Sequence, residues 1–233
     1  MRAVILAGGL GLRLRSLVRD RPKPMAEVCG RPFLQYVLGC VKRWGVREVV
    51  LCVSYMAERI MEFFGDGRDF GVDIRYSVEE KPLGTGGAVK EALKLFDDKR
   101  FLVLNGDTLL DTDISPLLSG CGQAAITMAL VRGVGDRYGS VVLSEEGYVL
   151  EFTEKGRSFG GYVNGGLYVV ERSLVPWDEF PVVFSLEVDL LPYLVGKRLV
   201  RGVPLDCYFI DIGVPEDLRR FKRDVEDGKI RIW

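Results

Sequence analysis

Residues 1–25 read MRAVILAGGLGLRLRSLVRDRPKPM. The apolar run Ala3–Ala7 has the character of a short buried strand, and it leads straight into Gly8, Gly9 and Gly11. Arginines follow, and then Lys23 between Pro22 and Pro24. A strand, a glycine turn and cations in that order form an anion cradle, because glycines let backbone N–H groups approach a phosphate and point at it. Several readings compete. A dinucleotide fingerprint needs a third glycine, but Gly9-Leu10-Gly11 is followed by Leu12, Arg13 and Leu14. A P-loop needs a Gly-Lys-Ser/Thr ending, which is absent. A third reading wraps a triphosphate, with Arg13 and Lys23 as counter-charges. The remaining reading is a glycine turn with solvated arginines. Lys23 favours the triphosphate, since prolines on both sides restrict its backbone and lower the cost of holding the ammonium in one place.

Outward from this loop, the first half alternates in type. Helices are expected over Phe33–Trp44, Ala57–Phe64 and Thr85–Phe96, and strands over Val4–Leu6, Glu48–Val53, Asp73–Val78 and Phe101–Leu104. That order predicts a mostly parallel sheet covered by helices. The second half reads as strands over Ala124–Val131, Ser140–Leu143, Tyr148–Phe152 and Gly165–Val170, with Gly147 in a hairpin turn. Helices are expected over Phe184–Leu194 and Pro215–Val225. The expected fold class is α/β, Rossmann-like, with a mixed, mostly parallel central sheet. One domain spans 1–233, with a nucleotide-binding half over 1–110 and a second ligand-binding half over 111–233.

Composition narrows the chemistry. Of 233 residues, 32 are Lys or Arg and 33 are Asp or Glu, so no global charge calls for nucleic acid or an anionic membrane. There is no histidine, which removes Ser-His-Asp and Cys-His catalysis and the common zinc sites. The five cysteines (Cys29, Cys40, Cys52, Cys121 and Cys207) are widely spaced, as in reduced intracellular proteins. No apolar run spans a bilayer and residues 1–25 lack a signal-peptide pattern, so the expected location is cytoplasmic.

Four further stretches carry chemistry. Asp107, in Asn105-Gly106-Asp107, follows the strand FLVL, where open α/β sheets bind ligands. It suits Mg²⁺, which is usually held by one or two carboxylates plus phosphates and water; the alternative is a simple turn. Asp111 and Asp113 read as turn and capping residues. Asp211, in YFIDIGVPEDL, ends an apolar strand and is either a second ligand or a helix cap. Glu154-Lys155, taken alone, is an ordinary surface pair.

LAGGLGLRLRSLVRDRPKPM resembles the opening motif of the sugar-1-phosphate nucleotidylyltransferases. It departs from it at Leu12, where Thr or Ser is usual, at Leu17, where Pro is usual, and at Arg19, near the usual hydroxyl. Four later segments match the family in order: EEKPLGTGG, NGD, the EK and NGG segments, and FIDIGVP. The resemblance covers residues 1–225, without the β-helix or acyltransferase-like extensions of some members. It implies a GT-A type nucleotidyltransferase fold. It places Leu6, Ala7, Gly8, Gly9, Gly11, Arg13 and Lys23 around the triphosphate, and Arg13, Lys23 and Asp107 at the reacting centre. The loop with Glu79, Gly84 and Thr85 would take the base, with Gly84 and Gly86 letting it lie against backbone. Glu79 could accept from guanine N1–H and N2–H, which favours GTP. Asp107 and Asp211 would share Mg²⁺. Asp107, Glu154, Lys155, Asn164 and Gly165 would hold the second substrate, with Lys155 on the sugar phosphate.

The implied reaction is transfer of a nucleoside monophosphate from an NTP to a sugar 1-phosphate, with GTP and a manno-configured heptose 1-phosphate as the favoured pair. Mannose 1-phosphate, or UTP or dTTP as donor, are the near alternatives. A non-catalytic nucleotide-sensing module and an NAD(P) oxidoreductase are the distant ones. A homo-oligomer is compatible with all of them.

Overall fold

The computed structural model describes residues 1–9, 21–121, 124–133, 140–153 and 161–230. The chain runs β1 (Ala3–Leu6), β2 (Glu27–Val28), β3 (Arg31–Pro32), α1 (Phe33–Arg43), β4 (Glu48–Val53), α2 (Ala57–Phe64), β5 (Asp73–Val78), α3 (Gly84–Ala92) and β6 (Arg100–Asn105). It continues with β7 (Thr108–Asp111), α4 (Ser115–Ser119), β8 (Ile126–Gly133), β9 (Ser140–Leu143), β10 (Val149–Thr153) and β11 (Gly161–Glu171). Last come α5 (Leu191–Gly196), β12 (Val200–Leu205), β13 (Tyr208–Asp211) and α6 (Pro215–Glu226).

The central sheet has the order β10-β9-β11-β6-β1-β4-β5, with β8 also pairing β11 and β12. β6, β1, β4 and β5 are parallel, and β11 adds antiparallel to β6. The fold is the expected α/β class. In register, Leu6 lies beside Cys52 on one side and Asn105 on the other. The carboxyl ends of three neighbouring strands therefore finish at one level, where open parallel sheets leave a crevice for ligands.

Alternate residues of the strands feed opposite faces. Ala3 and Ile5 pack into one core with Phe33 and Leu34 of α1, Ile60 of α2 and Phe221 of α6. Val4, Val50 and Val103 pack into the other, with Ala88 and Val89 of α3 and Leu191 and Leu194 of α5. Among the described residues no helix is long and apolar enough to cross a membrane.

Several boundaries differ from the expectation, each for a local reason. The helix expected to Phe96 ends as α3 at Ala92; a 3₁₀ turn follows, and Phe96 is extended at φ −160°, turning its ring onto Phe101. The helix expected from Phe184 starts later, with a π-type turn over Leu186–Leu190 that leads into α5. Phe184 cannot join it, because its carbonyl already accepts from the N–H groups of Gly86 and Gly87 at 3.0 and 3.1 Å. Asp111 is not a turn residue: it ends β7 and pairs with Arg43 at 2.5 Å. Asp113 does cap, accepting from the Ser115 N–H at 3.0 Å. Gly147 makes the expected hairpin turn, with φ +83° and its N–H on the Ser144 carbonyl.

Candidate active site

A cavity of about 300 Å³ opens at the carboxyl ends of β1, β4 and β6, at the lower end of the range for ligand clefts. Its floor is Leu6, Cys52 and Asn105, one residue from each strand. Gly8, Gly9 and Asp107 stand on one part of its wall, and Glu79, Pro82, Gly84 and Thr85 on another. Six of the expected nucleotide-site residues, Leu6, Gly8, Gly9, Glu79, Gly84 and Thr85, are thus brought together from two separate segments. Ala7 does not line the cavity; it is 1% exposed, with its N–H on the Cys52 carbonyl at 2.8 Å. Gly11, Arg13, Glu154 and Lys155 lie outside the described residues.

Gly8 is where glycine is required by packing. A Cβ there would stand 3.2 Å from both Glu79 Oε1 and Ser54 Cβ, so the bare backbone lets the carboxylate lie against the β1 turn. Glu79 Oε2 accepts from the Leu83 N–H at 3.0 Å. Burial pushes the Glu79 carboxyl up from its ordinary range, and the Leu83 N–H only partly offsets this.

Lys23 begins a 3₁₀ turn after an extended Pro22, with φ −68° and ψ 152°. Its ammonium forms an ion pair with Asp107 and lies 3.8 Å from Asp211 Oδ1. The two aspartates, distant in sequence, meet because β7 and β13 pair antiparallel, with Asp211 opposite Thr108. The Ile212 N–H then bonds the Asp107 carbonyl at 3.0 Å. The Gly213 N–H fixes the Asp211 carboxylate at 2.7 Å, and a Cβ at residue 213 would sit 2.9 Å from that same oxygen. Burial pushes the Asp107 carboxyl up, but the Lys23 charge and hydrogen bonds from Lys23 and Thr108 outweigh it and hold it below the usual carboxylate range.

Asn164 and Gly165 sit at a register irregularity of β11 against β8, the kind of bulge that commonly re-aims side chains beside active sites. Asn164 Nδ2 donates to the Tyr168 hydroxyl at 2.6 Å, and its Oδ1 accepts from the Gly166 N–H at 2.9 Å. Gly165 is buried, with room for a Cβ denied by the Ala129 carbonyl at 3.0 Å. Gly86, expected to lie against a base, faces the Phe184 ring instead; a Cβ there would come within 2.2 Å of it.

Five lining residues were not singled out from the sequence as site residues: Cys52, Pro82, Ala88, Asn105 and Glu187. Cys52 is simply the penultimate residue of β4. Asn105 holds a buried Oδ1 with no hydrogen-bond partner among the described residues. Glu187, on the π-type turn, accepts from Thr85 Oγ1 at 2.6 Å and from Ser185 Oγ at 3.2 Å. A π-type turn is itself a signal of a functional position, but only the fold reveals it.

A crevice at the strand ends, a glycine turn and two carboxylates bridged by a lysine agree with the family comparison. The chain belongs to the nucleotidyl transferase family, whose model matches residues 2–228. It is 42% identical to a D-glycero-α-D-manno-heptose 1-phosphate guanylyltransferase of Campylobacter jejuni over 95% of this chain and 98% of that one. It is 37% identical to a protein of the same description from Aneurinibacillus thermoaerophilus, over 97% and 99% of the two chains. Among solved structures, HddC from Yersinia pseudotuberculosis complexed with GMP-PN superposes with a TM-score of 0.85 at 33% identity, covering 96% of this chain and 99% of that one.

Proposed function

We propose that this chain transfers GMP from GTP to a sugar 1-phosphate, with D-glycero-α-D-manno-heptose 1-phosphate as the acceptor, releasing GDP-sugar and pyrophosphate. The observation that carries the reading is the meeting of Lys23 and Asp211 with Asp107, which lines the same cavity as Glu79. The names of the two relatives above supply the choice of base and sugar.

A phosphate oxygen of the sugar 1-phosphate attacks the α-phosphorus in line. The bond from that phosphorus to the bridging oxygen breaks, and its electron pair leaves with pyrophosphate. The nucleophile is already an anion, so a chain without histidine lacks nothing for this step. What the protein must supply is position and positive charge. Lys23 meets the α-phosphate or the incoming phosphate. Gly8 and Gly9 let backbone N–H groups reach the triphosphate, and Arg13 and Lys155, outside the described residues, would hold the leaving pyrophosphate and the sugar phosphate. Glu79 accepts two hydrogens from the guanine edge, a pattern that uracil and thymine do not offer.

Asp107 and Asp211 fit Mg²⁺. They already share one cation, and the described residues hold no group of three or more acidic, Cys or His side chains around a single point. That suits an ion that takes one or two carboxylates and fills its shell with phosphates and water. When bound, Mg²⁺ supplies charge neutralisation between the two phosphates.

The test is a matrix of pyrophosphate release, with four NTPs against glucose, mannose and heptose 1-phosphates, with and without Mg²⁺. Release confined to GTP with the heptose phosphate is the expected result. A preference for UTP or dTTP overturns the base assignment, and release with mannose 1-phosphate alone overturns the sugar assignment.

A further inference from the structure

We infer that Asn105 sets specificity for the second substrate, its carboxamide pairing with a ring hydroxyl of the sugar 1-phosphate; the inference rests on the proposed transferase reading. Asn105 is the last residue of β6 and lines the cavity. Its Oδ1 is buried and has no hydrogen-bond partner among the described residues. A buried oxygen left unmatched is destabilising, so one at the floor of a ligand cleft calls for a partner that arrives with the ligand.

The chemistry of that partner is narrow. Oδ1 can only accept, so it needs a donor. Ionised phosphate oxygens carry no hydrogen, which removes the triphosphate and the phosphate of the sugar. The guanine edge is given to Glu79. Hydroxyl groups of the ribose or of the sugar remain. They suit a carboxamide, because a hydroxyl both donates and accepts and the amide offers Oδ1 and Nδ2 side by side. The terminal torsion of asparagine is soft, so a turn of the amide presents Oδ1 to the cavity.

Strand order separates the two kinds of hydroxyl. Across the sheet the neighbours run β11, β6, β1, β4 and β5. Glu79 directly follows β5, and its carboxylate lies against Gly8, just past β1. A ribose joins base to phosphates, so it belongs on the Glu79 side of the glycine turn. Asn105 is on the other side of β1, next to β11. A Cβ on Gly166 would stand 3.0 Å from Asn105 Nδ2, so this glycine, at φ +70°, leaves the carboxamide room against β11. The Gly166 N–H in turn holds Asn164 Oδ1 at 2.9 Å. Asn105 therefore borders the Asn164–Gly165 bulge, which the family resemblance gives to the second substrate. Asp107 follows two residues later, so a sugar held by Asn105 has its phosphate beside the cluster of Lys23, Asp107 and Asp211.

The test is steady-state kinetics of the full chain with GTP and D-glycero-α-D-manno-heptose 1-phosphate, together with thermal melts of the free protein. Asn105→Val is expected to raise the sugar-phosphate KM about three- to tenfold, as for loss of one hydrogen bond, with the GTP KM changed by less than about twofold. Its Tm without substrates should equal or exceed that of the wild type, since the unmatched oxygen is gone. Asn105→Ala, which cannot crowd the floor, should give the same kinetic pattern. With the wild-type chain, one of a series of monodeoxy analogues of the heptose phosphate should lose about three- to tenfold in kcat/KM. The two variants should no longer distinguish that analogue from its parent, a change that a merely structural role would not produce. An unchanged sugar-phosphate KM in both variants overturns the inference, as does a flat deoxy series or one that variants and wild type discriminate equally. A rise in the GTP KM alone moves the carboxamide to the ribose and also overturns it. Absence of any pyrophosphate release from the wild-type chain is a different result, which defeats the transferase reading itself and the inference with it.

Discussion

Lys23 Nζ stands 3.8 Å from Asp211 Oδ1, and the same ammonium is ion-paired with Asp107. One lysine, with 12% of its side chain exposed, lies within ion-pair range of two carboxylates that are far apart in sequence. In the proposed reaction, a triphosphate that brings its own cation would release that lysine to face phosphate.

Lys23→Ala should therefore lower kcat by about 10²–10³-fold, or ~3–4 kcal/mol of transition-state stabilisation. Its effect on folding should be much smaller, because Asp107 and Asp211 are 34% and 24% exposed and water can solvate them. Thermal melts supply an independent check on the metal site. With the ammonium gone, Mg²⁺ alone should raise the Tm of Lys23→Ala more than that of the wild type. Equal shifts would mean that the two aspartates do not hold the ion.

Glu79 links stability to recognition through a raised carboxyl pKa. In the folded chain its proton is held more tightly than in the unfolded chain, whose value is near 4.5. The stabilising contribution of the protonated form is thus fully present below about 4.5 and is lost as pH rises through the folded value. At neutral pH the ionised group is a cost that the free protein bears. Glu79→Gln keeps an oxygen for the Leu83 N–H and removes that cost. Its Tm should exceed the wild type at pH 7, with the gain vanishing near pH 4. Activity should move the other way, with the ratio of GTP to UTP use in kcat/KM falling by about tenfold or more.

Much of this was legible in the sequence because the signals are local. The strands around Ile5, Leu51 and Val103 announce themselves as short apolar runs, and a parallel sheet built from them puts Leu6, Cys52 and Asn105 at one edge without further information. Asp107 and Asp211 were legible as carboxylates at strand ends, and Lys23 through its two prolines. Glu187 was not, because its meaning lies in a hydrogen bond to Thr85, 102 residues away, and in a π-type turn that helical spacing does not reveal. Gly86 was misread for a related reason: a glycine can make room for a ligand or for another part of the chain, and only the position of Phe184 decides between them.

That position gives a substitution with an inverted sign. In the interior of a helix, Gly→Ala ordinarily stabilises by up to ~1 kcal/mol. At Gly86 the new methyl would lie 2.2 Å from the Phe184 ring, so the ring and its segment must move. Gly86→Ala should destabilise by about 1–3 kcal/mol in urea unfolding, as overpacking does. Adding Phe184→Leu to it should recover part of the loss. A Gly86→Ala chain more stable than the wild type would show that segment 182–187 is not fastened to α3 as described.

Far from the cavity, Phe221 tests whether the second carboxylate is held by packing. The ring is fully buried and meets Phe33 and Tyr36 of α1 edge-on, with centroids 5.1 and 5.2 Å away. This docks α6, and α6 begins four residues after Asp211, so the anchor of the helix is also an anchor for the end of β13. Phe221→Ala should cost about 3–5 kcal/mol of stability, the usual range for a buried aromatic. If packing also sets the carboxylate, the folded variant at low temperature should need more Mg²⁺ for half-maximal pyrophosphate release, while the GTP KM at saturating Mg²⁺ stays close to the wild type. Phe221→Leu, which refills most of the space, should recover stability and Mg²⁺ requirement together. Recovery of stability with no change in Mg²⁺ requirement across the series would separate the two and leave the Gly213 N–H as an orienting contact to test.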